Sequence, residues 1–452
     1  MEMSVSQRRK MKLLMLLLIC AVSVFAEVEI FGLRAYGNGD EYRPPIITRN
    51  EVVTIEFDVA TPLPPNLHII FRHASRDWVA DENVFVNDPS DIRAEALSYS
   101  AAPGGVYQFK YRFVNSFPNK LNRVVFRHSG NYLYTIVDHD AGDRVLANGS
   151  FIVAESSVPV TMSVENKYHP DFPSPLNQRN AVSVDVVLPS EYTAADMGGI
   201  YFPDVKTVDI IKNWEVHLPY RIDQEDDSPE TFVENFTKPS KSFLRRDIPP
   251  GNEYRRLDLS SIAFYPNNRL VILRDNPDVS RFQWQGKPDA NGASKVKAFT
   301  GANSDYLEVE LRLRIPPVAG KRVFVVGGFT GWKVKPEYEL KPDSASGLYV
   351  MRCWVRRGVY DYQYIFGTIS EDGGVTEQDW ISLEGNDWRT INRYTALVYY
   401  RDQRAGGFDR VIGFTRARNP GGRDPGKIST SPAVGNVPGV KTPKMKTEEK
   451  EQ

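Results

Sequence analysis

The residues of this chain that could do chemistry by type are few and scattered. Six histidines, His68, His73, His128, His139, His169 and His217, show no HExxH or comparable ligand spacing. A tetrahedral zinc site takes several closely placed Cys or His ligands, and Cys353 alone cannot supply them. No phosphate loop ending in Gly-Lys-Ser/Thr and no GxSxG elbow occurs. DHDAGD (Asp138 to Asp143) holds carboxylates close enough for a calcium loop but lacks the EF-hand order and its final Glu, so a polar hairpin loop is expected. DQEDDSPE (Asp223 to Glu230) reads as a solvated acidic loop. Paired acids for glycoside hydrolysis are defined by distance in space, and the sequence nominates no pair. The expectation is a protein without catalytic residues, cofactor or metal.

One stretch points elsewhere. KRVFVVGGFTGWK (Lys321 to Lys333) reads as a strand entering a Gly-rich turn that presents Phe329 and Trp332. It resembles the turn of glycogen- and starch-binding modules, in which aromatic rings stack on sugar faces. Trp332, Trp354 and Trp380 fall in the same region. An exported carbohydrate-binding protein is therefore the alternative reading of the chain. The competing expectation is that Gly327 and Gly328 allow a sharp exit from the strand and that Phe329 and Trp332 clamp the turn to its own module. Trp354 alternates with Cys353, so it should face outward while Cys353 is a buried core thiol.

The elements that would position these residues are strands. LEVELRLRI (Leu307 to Ile315) alternates strictly, with Leu307, Val309, Leu311, Leu313 and Ile315 on one face. VYQFKYRFVN (Val106 to Asn115) places Tyr107, Phe109, Tyr111 and Phe113 in a second apolar stripe. GNGD, PGG, HSGN and ANGS turns punctuate the first stretch, and no long segment keeps a helical period. The chain therefore reads as all-β, built of tandem immunoglobulin-like or E-set β-sandwich modules. The expected division is a signal peptide over 1–26, an N-terminal sandwich over 27–155, a less regular middle β-rich domain over 156–303, a C-terminal sandwich over 304–415 resembling a glycogen-binding-type module, and a disordered tail over 416–452.

The N-terminus carries Arg8, Arg9, Lys10 and Lys12 ahead of an apolar run from Leu13 to Phe25, the pattern of a secretory signal cleaved near Ala26. Cleavage removes Cys20 and leaves one thiol, which excludes an internal disulfide. Residues 27–415 carry 44 basic against 52 acidic residues, a net charge of −8, which argues against a nucleic-acid partner. No direct membrane span is expected, and no small-molecule ligand.

Five phrases taken together resemble a known family: SFPNKLNRVVFRHSGNYLYTIVD (Ser116 to Asp138), PPGNEYRRLDLSSIAFY (Pro249 to Tyr265), VFVVGGFTGWK (Val323 to Lys333), RRGVYDYQYIF (Arg356 to Phe366) and NRYTALVYYRDQRAGGFDRVIGF (Asn392 to Phe414). In that order and spacing they look like the plug protein family of the type IX secretion system, a Bacteroidetes-type export machine. The resemblance spans 27–414. It implies a periplasmic, non-enzymatic protein, peripheral to the outer membrane, that associates with the giant outer-membrane translocon barrel and closes its periplasmic opening when no substrate passes. It supplies no site residues. The chain departs from the family's usual runs at Arg357 to Tyr362, at Thr390 to Asn392 and at Gly407 to Arg410, which puts shared surface contacts in question.

Overall fold

The computed structural model describes residues 28–168, 178–187, 199–235, 240–273, 276–284, 286–296 and 300–419. The expected signal peptide, and the expected tail from 420 onward, lie outside them. The described chain is all-β and folds as three sandwiches.

The first sandwich is built from strands between Glu29 and Ala154. One sheet orders the strands Glu29–Gly37, Val53–Ala60, Tyr111–Phe117 and Tyr99–Ala101, and the facing sheet orders Ile46–Thr48, Arg144–Ala154, Gly130–Asp138, Leu67–Ala74 and Arg93–Ala94. Val53, Ile55, Phe57 and Val59 point into its core against Leu67, Ile69, Phe71, Tyr134, Ile136 and Phe151. The aromatic stripe is shorter than expected. The strand begins at Tyr111, so Phe109 and Phe113 are buried while Tyr107 lies in the preceding loop, 60% exposed. Its backbone N–H is bound instead to Asp305, 3.1 Å away.

The second and third sandwiches do not follow the chain in order. One sheet of the second orders Val160–Tyr168, Gln178–Val187, Ser240–Ile248 and Thr231–Asn235. Its facing sheet takes Tyr220–Asp223 and Thr207–Lys212, then is completed by the last two strands of the described chain, Arg393–Asp402 and Phe408–Arg418. Thr207–Lys212 pairs antiparallel with Tyr394–Tyr399. The shared core holds Val182, Val184 and Phe243 together with Val208, Ile210, Ala396, Val398 and Ile412.

The third sandwich is inserted between these halves. It draws strands from Arg255–Asp258 through Val375–Asp379, including Tyr306–Arg314, Arg322–Gly327, Leu348–Arg356 and Gly358–Ile369. LEVELRLRI behaves as its alternation predicts: Leu307, Val309, Leu311 and Leu313 are buried in the core. Segments expected in the middle domain, Arg255–Asp258 and Ser294–Val296, pair with Gly358–Ile369. The hairpin expected to close the third module closes the second. Residues 416–418, expected in the tail, are the end of a paired strand. Which sheet a strand joins is decided by pairing across long sequence distances, which local alternation does not encode.

Ile412 is fully buried in the core of the second sandwich. An Ile412→Ala variant is expected to lose about 2–5 kcal/mol in urea unfolding, the usual cost of such a cavity. A loss within experimental error would show that the last strand is dispensable to that core.

Candidate functional site

The most extensive set of buried polar and apolar contacts between elements lies at the junction where the three sandwiches meet. The GGFTGW turn lies in it. Thr330 Oγ1 accepts from the backbone N–H of Gly327 and donates to the Gly327 carbonyl, both at 3.1 Å. The left-handed turn residues are Gly331, at φ +64°, and Trp332, at φ +57°. Gly327 and Gly328 serve close approach, not the exit: a Cβ on Gly327 would stand 2.5 Å from the Asp361 carbonyl oxygen, and one on Gly328 would stand 2.7 Å from Ser294 Cβ. Phe329 packs beside Tyr338 and Tyr360 in its own module. Trp332 reaches further. It is 2% exposed, its Nε1 donates to the Gly292 carbonyl at 2.6 Å, and its ring lies 4.4 Å from that of Tyr254, with Trp214 of the second sandwich alongside.

A sugar platform does not form from the three tryptophans. Trp332 is closed off, Trp380 is partly buried against the Phe324 cluster, and Trp354 alone is exposed, at 45%. Cys353 is half-buried beside the third core, and burial pushes its thiol up to about 12, which keeps it protonated.

The first and second sandwiches are joined by buried charge. Glu155 accepts from Arg410 Nη2 at 2.9 Å, from Ser129 Oγ at 2.5 Å and from Ser157 Oγ at 2.7 Å, and Arg410 Nη1 also holds Asp402 at 2.9 Å. Burial would raise the Glu155 pKa, but the Arg410 pairing and the two hydroxyls outweigh it and hold the carboxyl at about 2. Arg76 of the first sandwich pairs with buried Asp209 of the second, and Tyr399 Oη donates to Asn131 at 2.7 Å. Ile46, Ile152 and Ala154 pack on Ile211, Leu397, Tyr399 and Val411 beside these pairs.

The first and third sandwiches meet across the outer face of Val53–Ala60. Here Glu56 and Asp58 turn away from the core and receive Arg356 and Tyr306: Arg356 Nη1 reaches Asp58 at 2.9 Å, and Tyr306 Oη donates to the same carboxylate at 2.9 Å. Arg34 Nη2 and Arg112 also donate to Glu56.

The histidines and acidic loops read from the sequence are engaged by neighbouring cations and backbone groups. At the DHDAGD hairpin, His68, His139 and Asp143 come close enough to share an ion, but the Arg93 guanidinium lies among them, 2.6 Å from His68 Nδ1 and 2.8 Å from Asp143. In DQEDDSPE, Glu225 pairs with Lys206 and Glu230 with Arg245. His73 is buried between Asp81 and the Ser129 carbonyl. His169 lies outside the described residues. Two buried carboxyls, Glu253 and Asp361, and a half-buried one, Asp289, are not foreshadowed by the sequence. Asp361 accepts from Ala290 and Gly292 N–H at 2.8 and 2.9 Å, and Asp289 from Tyr254 N–H at 2.6 Å, so they pin the 289–292 loop over Trp332. Burial, reinforced by Asp289, pushes Asp361 up to about 7.

The described residues define a class of fold: an all-β arrangement of three interlocked sandwiches. Residues 30–155, the first sandwich, match the sequence model of the type 9 secretion system plug protein 1st domain. That match supports the resemblance of the chain to the type IX secretion system plug family. No curated protein matches the chain. A hypothetical protein from Parabacteroides merdae, known from its crystal structure, is similar in fold, with a TM-score of 0.68 at 20% identity over 87% of this chain and 99% of that one.

Two outcomes follow. Arg410→Met leaves Glu155 and Asp402 buried without their shared cation and is expected to cost about 3–5 kcal/mol in chemical unfolding; a smaller cost than for exposed Arg401→Met would refute the role assigned to the pair. The raised pKa of Asp361 means that its neutral form stabilises the fold below the unfolded carboxyl range, and that this contribution is lost as pH rises through about 7. Asp361→Asn should therefore gain stability relative to the native chain between pH 5 and pH 8, by about 1–2 kcal/mol. A pH-independent difference would show that burial does not govern this group.

Proposed function

We propose that the protein is a non-enzymatic periplasmic plug subunit of the type IX secretion system. It associates with the giant outer-membrane translocon barrel and closes the barrel's periplasmic opening in the absence of substrate. The observation that carries the reading is the match of the whole first sandwich to the plug protein's first domain. The architecture suits the role. A body that stops an opening must keep its shape under load, and three sandwiches joined by buried ion pairs and apolar contacts supply a rigid body. No helix of the described residues is long and apolar enough to cross a membrane. On this reading the chain reaches the periplasm through cleavage near Ala26 and stays peripheral to the outer membrane. Its contacts with the barrel rim are polar and charge-assisted, as reversible interfaces are.

A tagged copy expressed in its native organism is expected to co-purify with a very large outer-membrane barrel, and raising salt should weaken that complex. Clean recovery of the tagged protein without any such barrel would overturn the assignment. Binding that is indifferent to salt would remove only the electrostatic part.

A further inference from the structure

The end of the last strand, expected in the tail, forms one wall of a cleft of about 230 Å³ where the sandwiches meet. Arg43, Arg393, Arg416 and Arg418 line it with Asn213, Thr395, Tyr42, Trp214 and Tyr394, and no carboxylate is among its lining residues. The register explains the crowding. Arg393 stands directly opposite Arg418 across the hairpin, and Thr395 opposite Arg416, so three arginines share one face. Like charges directly opposite on a sheet repel. Arg43 is brought in from the first sandwich, where Glu51 holds it at 2.7 Å.

Arg416 is partly buried, with its guanidinium over the Phe414 ring, 5.7 Å from the centroid. Its Nε is buried without an acceptor, its Nη2 has only a long 3.4 Å contact to the Ile46 carbonyl, and no carboxylate among the described residues pairs with it. Burial, then Arg43, lowers its pKa against a smaller opposing pull from Glu51, whereas the carboxylate-paired Arg410 is raised. A guanidinium half-removed from water beside three others, with donors unspent, is matched by a planar or tetrahedral oxyanion that can accept several N–H groups at once. The cleft is too small for a macromolecular segment of any length and has aromatic side walls.

We propose that this cleft is a binding site for a phosphate monoester group, held by Arg416 at its base and by Arg393 and Arg418 at its rim. This goes beyond the plug reading and does not depend on it. Alternation could not show the site, because Arg416 and Arg418 stand in a run of basic residues that reads as tail, and Arg43 lies far away in sequence.

The test is calorimetric titration of the mature full-length chain with glycerol 3-phosphate, alongside flotation with phosphatidic acid or phosphatidylcholine vesicles. Saturable binding of glycerol 3-phosphate assigns the site to soluble phosphoesters, and binding to phosphatidic acid vesicles alone assigns it to a lipid headgroup. In either case Arg416→Met is expected to weaken binding about tenfold or more, the worth of charge-assisted hydrogen bonds. The same variant should unfold no earlier than the native chain in phosphate-free buffer, because it removes a half-buried charge that no carboxylate among the described residues pairs and leaves an apolar side chain on Phe414. Arg393→Gln, at the exposed rim, should weaken binding less. The proposal is overturned if neither probe binds, if Arg416→Met binds as well as the native chain, or if that variant is destabilised without phosphate, as a structural arginine would be.

Discussion

The pairing of Thr207–Lys212 with Arg393–Asp402 is the constraint on which the rest of the structure depends. It closes the second sandwich only after the chain has built the third, so the third is held at both ends by the second. Closing so long a loop costs entropy that grows slowly with its length, and the return hairpin offsets it with apolar burial through Ala396, Val398 and Ile412. A module attached by two crossings cannot swing like one on a single linker. Folding must wait for this distant contact, which places the chain among slow, high-contact-order topologies.

The same hairpin ties in the first sandwich. Arg410 lies on its second strand and holds both Glu155 and Asp402, while the backbone N–H groups of Glu155 and Ser157 donate to Val411 and Ile412. Buried ion pairs add little net stability when compared with apolar packing. Their effect here is on geometry. Glu56 and Asp58 occupy the face of Val53–Ala60 that an isolated sandwich would turn to water, and they accept the third sandwich only in the register that delivers Arg356 and Tyr306. A slipped or rotated contact would leave Asp58, whose pKa burial already pushes up to about 7, without its donors. Apolar contact brings the modules together, and the carboxylates fix how they meet.

This explains what the sequence made legible. Period-two alternation reports one apolar face, and Leu307 to Ile315 is readable because its other face is built of charged residues that pair with one another, Glu310 with Arg312 and Arg352. The class of fold and the extent of the first sandwich follow from such local signals. Val53–Ala60 shows the limit: it is buried on both faces, and its polar face is interface, which alternation cannot distinguish from solvent. Tyr107 failed because a stripe of aromatics continued beyond the point where pairing begins. Trp332 was expected to pack within its module, but Gly292, Tyr254 and Trp214 come from segments remote in sequence. Neither the nested order of the sandwiches nor the arginine cleft has a local signature, since both exist only through long-range pairing.

Charge is distributed with the same economy of place. Residues 27–419 carry 46 basic against 52 acidic residues, so the body as a whole repels anions at long range. The four arginines of the cleft invert that sign over a few ångströms. At physiological ionic strength the screening length is about 8 Å, comparable to the cleft itself, so an arriving phosphate group feels the arginines and little of the distant acids. Lower salt would extend the acidic field and slow its approach while strengthening contact once bound. An acidic exterior with a local basic recess thus selects for small anions that can enter, and against polyanions whose remaining charge would stay in the repulsive field outside.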